Sequence, residues 1–180
     1  MKNSKDYQDL LSRVDKVVTQ KDLDLSSDED LSIGIMNLIS IEEHLFFTSQ
    51  KTGKSSYLDL LNEVRLMRTD LLKMIITDYE GEVWCISKHL LAASMRVMEV
   101  GTKALKKGNK KGAMELFNKS FKLYSLFWGI NLKLVGIDKV KSTSKEEIDF
   151  LDEKASKKGT SSIFDKLGAV VQKAIDCCKE

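Results

Sequence analysis

The sequence predicts an all-α protein: an antiparallel bundle of four to five helices with a C-terminal amphipathic helix. Three observations lead to this class. The 180 residues include no proline, so long helices are not broken by that residue. Apolar residues recur at spacings of three and four in most segments. Capping residues and glycines fall between those segments. The ordinary globular composition and a length at which a chain normally forms one core exclude disorder throughout. The absence of proline argues against an all-β or collagenous fold.

The N-terminal part of the chain contains two predicted helices. The first covers about residues 6 to 20 and carries Leu10, Val14 and Val17 on one side. Ser27 and Asp30 then form an S-x-x-D sequence that resembles a capping box. We expect the second helix to begin there and to reach about residue 49.

A third helix is predicted after a loop that contains Gly53. Ser56 and Asp59 repeat the S-x-x-D pattern and favour a helix start at this point. The apolar residues that follow are spaced by four, three, four and three: Leu60, Val64, Met67, Leu71 and Met74. This spacing predicts that they form the buried face of the helix.

The fourth predicted helix begins at Glu82, after Gly81, and has the most regular pattern in the chain. Its main apolar row comprises Val83, Ile86, Leu90, Ala93, Val97, Val100 and Ala104. This row is typical of a bundle seam. A second row comprises Trp84, Leu91, Met95 and Met98. We therefore expect this helix to lie near the centre, with neighbours on two sides.

A tight turn is predicted between the fourth helix and a fifth that ends near residue 135. Gly108 is the expected C-cap and Asn109 the expected N-cap. Four rings line one face of the fifth helix: Phe117, Phe121, Tyr124 and Trp128. They could stack on bases or on a cofactor, but polar residues on the opposite side favour a row of core residues.

The run Ala104-Leu105-Lys106-Lys107-Gly108-Asn109, followed by Ala113, Phe117 and Tyr124, resembles the hairpin of a tetratricopeptide-type repeat. In that family small residues let two helices close on a turn that contains glycine. The resemblance covers about residues 97 to 124 and occurs once. It implies a tight helical hairpin of the kind found in helical adaptors, and it implies no particular binding residues.

The chain is predicted to divide into a helical bundle domain at residues 1–136, a polar linker at 137–161 and an amphipathic tail helix at 162–178. The tail residues Phe164, Leu167, Val171 and Ala174 line up on one side. Such a short helix is not stable alone in water, so this face needs an apolar receiver. These residues are candidates for binding a partner protein, although docking on the parent bundle is favoured. A membrane surface ranks third because the tail's charges are mixed.

Charge is balanced overall but distributed unevenly. Lys and Arg number 29 against 27 Asp and Glu, so bulk electrostatics does not demand a polyanionic partner. Residues 1–60 carry seven basic and eleven acidic side chains, whereas residues 103–141 carry ten basic and two acidic. Within the lysine-rich hairpin 103–111, the candidates for anion binding are Lys106, Lys107, Lys110 and Lys111. A nucleic-acid-associated protein is therefore one alternative, although a solvated turn without arginine is favoured.

A metal or small-ligand site is the other alternative, and it would use Glu82, Cys85 and His89. Cys85 and His89 are four residues apart, so they share a helical face. Neither histidine has a glutamate three residues before it, which excludes the E-x-x-H pairs of di-iron bundles. A buried thiol and a hydrogen-bonded histidine form the simpler interpretation. No catalytic motif is present, so we expect neither an enzyme nor a cofactor.

The sequence also bears on compartment and partners. Cys177 and Cys178 are adjacent, which disfavours an ordinary disulfide and favours a reducing setting. The N-terminus has no apolar signal segment, and no stretch is long and apolar enough to span a membrane. We therefore expect a cytoplasmic, non-enzymatic protein-binding or scaffold module that binds another protein or further copies of itself.

Overall fold

The computed structural model describes residues 26–76, 81–135 and 163–174, together with residues 12 and 16. These parts form five helices and contain no strand: α1 (Ser26–Thr52), α2 (Ser56–Ile75), α3 (Glu82–Lys106), α4 (Lys110–Asn131) and α5 (Ile163–Ala174). The predicted all-α bundle is confirmed. Of the predicted N-terminal helix only residues 12 and 16 are described, and both are helical. The predicted linker 137–161 lies outside the described residues.

The helix boundaries follow the local sequence closely at one turn and less closely at two others. Gly108 adopts a positive φ of 79°, and the Asn109 side chain accepts a hydrogen bond of 2.9 Å from the Gly112 N–H. The predicted turn and the N-cap at Asn109 are thus confirmed, but the C-cap of α3 is Lys107 and not Gly108, which follows it with the positive φ. The capping box expected at Ser56 is wrong, because Ser55 is the N-cap and makes no side-chain bond. Its backbone carbonyl accepts from the N–H of Leu58 at 2.8 Å. The predicted cap at Ser27 also lies inside its helix.

The bundle consists of two antiparallel hairpins, α1–α2 and α3–α4, with α5 packed on α4. Every helix contributes to the shared core, which consists of Ile35, Met36, Leu72, Ile75, Ile76, Leu90, Leu91, Phe127, Trp128, Ile130 and Val171. Trp128, Phe127 and Leu91 are among the largest fully buried side chains. The C-terminal half of α4 therefore lies at the centre of the molecule.

Helices α3 and α4 approach each other through small residues. The Ser94 hydroxyl donates to the Ser120 carbonyl at 3.0 Å, and the Ser120 hydroxyl donates to the Ser94 carbonyl at 2.8 Å. About two turns further along α3, a Cβ on Gly101 would lie 2.6 Å from the Phe117 ring. The two backbones are close because glycine and serine occupy little space between them.

The seam predicted for α3 is therefore wrong over much of its length. The buried residues of α3 are Ser87, Leu90, Leu91, Ser94 and Gly101, of which only Leu90 belongs to the predicted row. Ala93 and Val100 are exposed instead. Hydrophobic periodicity counts serine as polar, yet here each serine hydroxyl is satisfied across the interface, so its burial carries little penalty.

The face predicted for α2 is only partly buried: Val64 is half-buried and Leu71 packs against the core, but the other three residues are exposed. Leu60, Met67 and Met74 are 53%, 52% and 69% exposed, whereas Leu72 is fully buried. Arg68 is buried as well, and its Nε donates to Glu42 Oε1 at 2.8 Å. A buried guanidinium requires a carboxylate partner. The buried side of α2 thus includes this ion pair, while Leu60, Met67 and Met74 face solvent.

The tail helix α5 lies on its own bundle. Leu167, Val170 and Val171 are almost completely buried. Gly129 in α4 makes room for this contact, since a Cβ there would lie 2.9 Å from Leu167 Cδ1. Over the described ranges, no helix has the combination of length and apolar character that crossing a membrane requires.

Two neighbouring glutamates of α1 provide a matched pair of stability tests. Arg68→Ala removes the partner of Glu42, whose side chain is only 16% exposed. We expect a loss of about 3–5 kcal/mol of unfolding free energy, because a carboxylate is left buried and unpaired. Arg96→Ala removes the partner of Glu43 in a pair whose side chains are 44% and 43% exposed. That change should cost about 0–1 kcal/mol.

Urea denaturation of both variants measures this difference. Equal losses in the two variants would show that burial does not make the Arg68–Glu42 pair more important for stability than the exposed pair.

Candidate binding groove

An apolar groove of about 400 Å³ lies between α1, α3 and α4. Nine residues line it: Ile33, Met36, Ser94, Met95, Met98, Phe117, Ser120, Phe121 and Tyr124. Its volume falls within the range of about 300–1,000 Å³ that is usual for ligand pockets. We define these nine residues as the groove.

The contact between α3 and α4 explains why the groove forms. Ser94 and Ser120 are buried and bonded to each other, so they form the floor. The neighbouring side chains on both helices are long or aromatic, and they cannot fit between backbones that lie so close. They form walls on either side, and α1 adds a third wall. The rim residues Ile33, Met98 and Phe121 remain 43%, 39% and 37% exposed.

A polar contact fixes the wall between α1 and α4. The Ser32 hydroxyl donates to the Glu29 carbonyl at 2.7 Å, and its oxygen lies 2.7 Å from the Tyr124 hydroxyl. Since Ser32 has one hydroxyl proton, Tyr124 is the donor in this second bond. Burial raises the pKa of Tyr124 above 10.0, and the bond to Ser32 opposes this effect. The phenol is therefore neutral and tethered.

The chemistry of the groove suits an apolar occupant. Three methionines and three aromatic residues supply most of its surface. Methionine is flexible and polarizable, and it is frequent on surfaces that adapt to varied partners. The hydroxyls in the groove are bonded to other groups of the protein. The groove can thus desolvate an apolar side chain without exposing it to an unpaired hydroxyl.

A polar cleft of about 370 Å³ adjoins the groove at Phe121. It lies between α4 and α5 and is lined in part by Asn118, Lys122 and Gln172. The Lys122 Nζ lies 6.0 Å from the centre of the Phe164 ring. An occupant that extends past Phe121 would therefore leave apolar surface and meet an ammonium group.

The aromatic row predicted to be core is divided by the structure. Trp128 is 2% exposed and belongs to the core, whereas Phe121 is 37% exposed at the groove rim. Tyr124 lies between them, and its ring contacts that of Trp128 edge to face at 6.2 Å. The prediction is right for Trp128 and wrong for Phe121. Phe117 is half-buried in the groove wall.

The residues considered for a metal site are separated from the groove. Glu82, Cys85 and His89 are all exposed, so the interpretation of Cys85 as a buried thiol is wrong. Within the described parts of the chain, no three His, Cys, Asp or Glu residues are placed to hold a metal ion.

The other predicted site residues lie in two further places. Lys106, Lys107, Lys110 and Lys111 are exposed around the α3–α4 turn, where the hairpin brings them together. In α5, Leu167 and Val171 are buried and Phe164 is half-buried, while Ala174 ends the helix. The apolar face of α5 is therefore packed against the bundle of the same chain.

Sequence analysis did not identify the groove as a site. Ile33 and Met36 belong to no regular apolar row that we singled out, and Ser94 and Ser120 are polar. One signal was available: Ser87, Ser94 and Gly101 recur at intervals of seven. Small residues at heptad spacing indicate a close helix contact, and such a contact leaves neighbouring large side chains to form walls.

Comparisons of the chain with protein-family models, curated proteins and solved structures give no match. The groove must therefore be interpreted from its own chemistry.

The tether between Tyr124 and Ser32 makes a prediction about alkaline pH. The pKa of Tyr124 is raised in the folded protein above the value of 10.0 for a free tyrosine. Above that pH the unfolded chain loses the proton first, so the folded state binds more protons and stability falls as pH rises. Tyr124→Phe should cost about 0.5–1.5 kcal/mol at neutral pH, and the difference from wild type should shrink above pH 10.0.

Urea denaturation on both sides of that pH measures the effect, and Tyr57→Phe in α2 is the control. If the two phenylalanine variants show the same pH dependence, Tyr124 does not carry the effect.

Proposed function

We propose that this protein is a non-enzymatic helical binding module whose groove receives an apolar helical segment of a partner protein. The open apolar groove between α1, α3 and α4 supports this proposal most directly. A groove in a rigid bundle can accept the apolar face of an amphipathic helix, which presents anchor residues at spacings of three, four and seven.

The shape of the groove favours a helix over a small molecule. Its rim consists of Ile33, Met98 and Phe121, one from each of three helices, and all three are partly exposed. A small apolar ligand is normally enclosed over most of its surface. Side chains that project from a partner helix would instead cover this rim and leave the partner's polar face in water. The three methionines allow the walls to adjust to different side chains.

The cleft beside Phe121 adds a charge preference. Lys122 lines this cleft, which shares Phe121 with the apolar groove. An acidic residue that follows the apolar anchors of the partner could pair with this ammonium group. Such a rim pair affects specificity and association rate more than affinity. The expected partner is therefore an apolar helix with a carboxylate near one end.

We also propose that the groove catalyses no reaction. The groove hydroxyls of Ser94, Ser120 and Tyr124 hydrogen-bond to other groups of the protein. Activation of a serine requires a neighbouring base, and no histidine lines the groove. The groove chemistry therefore favours binding without reaction.

Photo-crosslinking from the groove rim tests the proposal. A photoreactive amino acid replaces Met98, which is 39% exposed in the groove, or Met114, which is 60% exposed on α4 outside it. In cells that produce the protein naturally, we expect position 98 to capture a discrete polypeptide that position 114 does not capture. Mass spectrometry identifies the crosslinked segment.

A second change checks that the groove itself is responsible. Ile33→Glu places a charge on the opposite rim, and burial of an unpaired carboxylate is costly. We expect capture from position 98 to fall strongly in this background. Capture that is equal at both positions, or that is unaffected by Ile33→Glu, would contradict the proposal.

A further inference from the structure

Helix α2 presents an apolar row to solvent, which we call the α2 stripe. It consists of Leu60, Met67 and Met74, which are more than half exposed. The three residues are seven apart, so they lie along one line of the helix. Large side chains in a heptad row are typical of a helix that packs on another helix.

Helix α3 presents a second row, which we call the α3 stripe: Ala93, Val97, Val100 and Ala104. Ala93 and Val100 are exposed, and Val97 and Ala104 are half-buried. The spacing of four, three and four again follows the heptad pattern. These side chains are small, so they can accommodate leucine and methionine from a facing helix.

The two stripes have edges of opposite charge. Glu63 and Asp70 each lie three residues after one member of the α2 stripe and four before the next, which places them along its edge. Lys103 and Lys107 each follow a member of the α3 stripe by three residues. All four charged side chains are exposed. Asp70 has an exposed contact with Lys73 at 3.3 Å, of a kind that is worth little in water.

We propose that the α2 stripe of one molecule packs on the α3 stripe of a second copy of this chain. Within one molecule α2 packs mainly on α1 and α3 mainly on α4, so the two stripes stay apart and both remain exposed. A second copy presents a matching surface for each stripe, in side-chain size and in charge. The interface is independent of the groove, since no residue of either stripe lines it.

Charge distinguishes a second copy from the N-terminal part of the same chain. Residues 1–25 carry five basic and five acidic side chains, so they match neither charged edge in particular. Their predicted helix has one apolar side and could cover one stripe at most. A second copy explains both stripes and both edges together.

The first measurement is sedimentation velocity of the wild-type chain from low to high micromolar concentration. We expect self-association that weakens at high salt, because exposed charged edges are screened. Glu63→Lys with Asp70→Lys makes both edges basic, and Lys103→Glu with Lys107→Glu makes both acidic. Each double variant should associate about tenfold more weakly than wild type, as expected when like charges face each other.

Mixing the two double variants is the decisive step. Each edge of one variant then faces an edge of opposite charge on the other. We expect the mixture to associate about as tightly as wild type although neither variant does so alone. Circular dichroism and the melting temperature check that both variants are folded, so a loss of folding cannot produce this result.

A matched pair of neighbours tests the apolar contact. Met67 and Leu66 are 52% and 54% exposed, but consecutive residues lie about 100° apart around a helix, so Leu66 is outside the α2 stripe. Met67→Glu should abolish association, and Leu66→Glu should leave it within about twofold of wild type.

Three results would overturn the proposal. The first is a wild-type chain that stays monomeric over the whole concentration range. The second is a mixture of the folded charge variants that associates no better than its components. The third is a chain without residues 1–25 that associates when the full chain does not, because the N-terminal segment would then be the occupant of the stripes.

Discussion

The close contact between α3 and α4 is the constraint on which the rest of the structure depends. Ser94 and Ser120 exchange hydrogen bonds from hydroxyl to carbonyl in both directions. These bonds fix the distance between the helices and the rotation of each about its own axis. A bulkier residue at either position would separate the backbones. Gly101 extends the same contact toward the turn.

The groove follows from that rotation. With the small residues of α3 directed at α4, Met95 and Met98 lie beside the contact, where they face Phe117 and Phe121 across the floor. The bond from Tyr124 to Ser32 then holds α1 as the third wall. The apolar groove thus arises beside a tight polar contact, and its walls come from three helices.

A second polar contact decides which surfaces remain open. Arg68 is buried against Glu42 on one side of α2, and three large apolar residues of the same helix face solvent. In the same way, the serine contact of α3 leaves Ala93 and Val100 uncovered. The two most regular apolar rows of the sequence are therefore divided between core and surface: Leu71, Ile86 and Leu90 pack in or against the core, whereas other members of both rows are exposed. Contiguous exposed apolar patches are often sites where another molecule binds.

The sequence by itself determined the helical class, the positions of the helices and the turn at Gly108 and Asn109, because these depend on residues within a few positions of each other. Periodicity also predicted which side chains of a helix share one face. It did not determine which face is buried. The buried face depends on two polar pairs, Ser94 with Ser120 and Glu42 with Arg68, and the partners in each pair are 26 residues apart. Only the tertiary structure brings such polar partners together, and until it does their burial looks unfavourable.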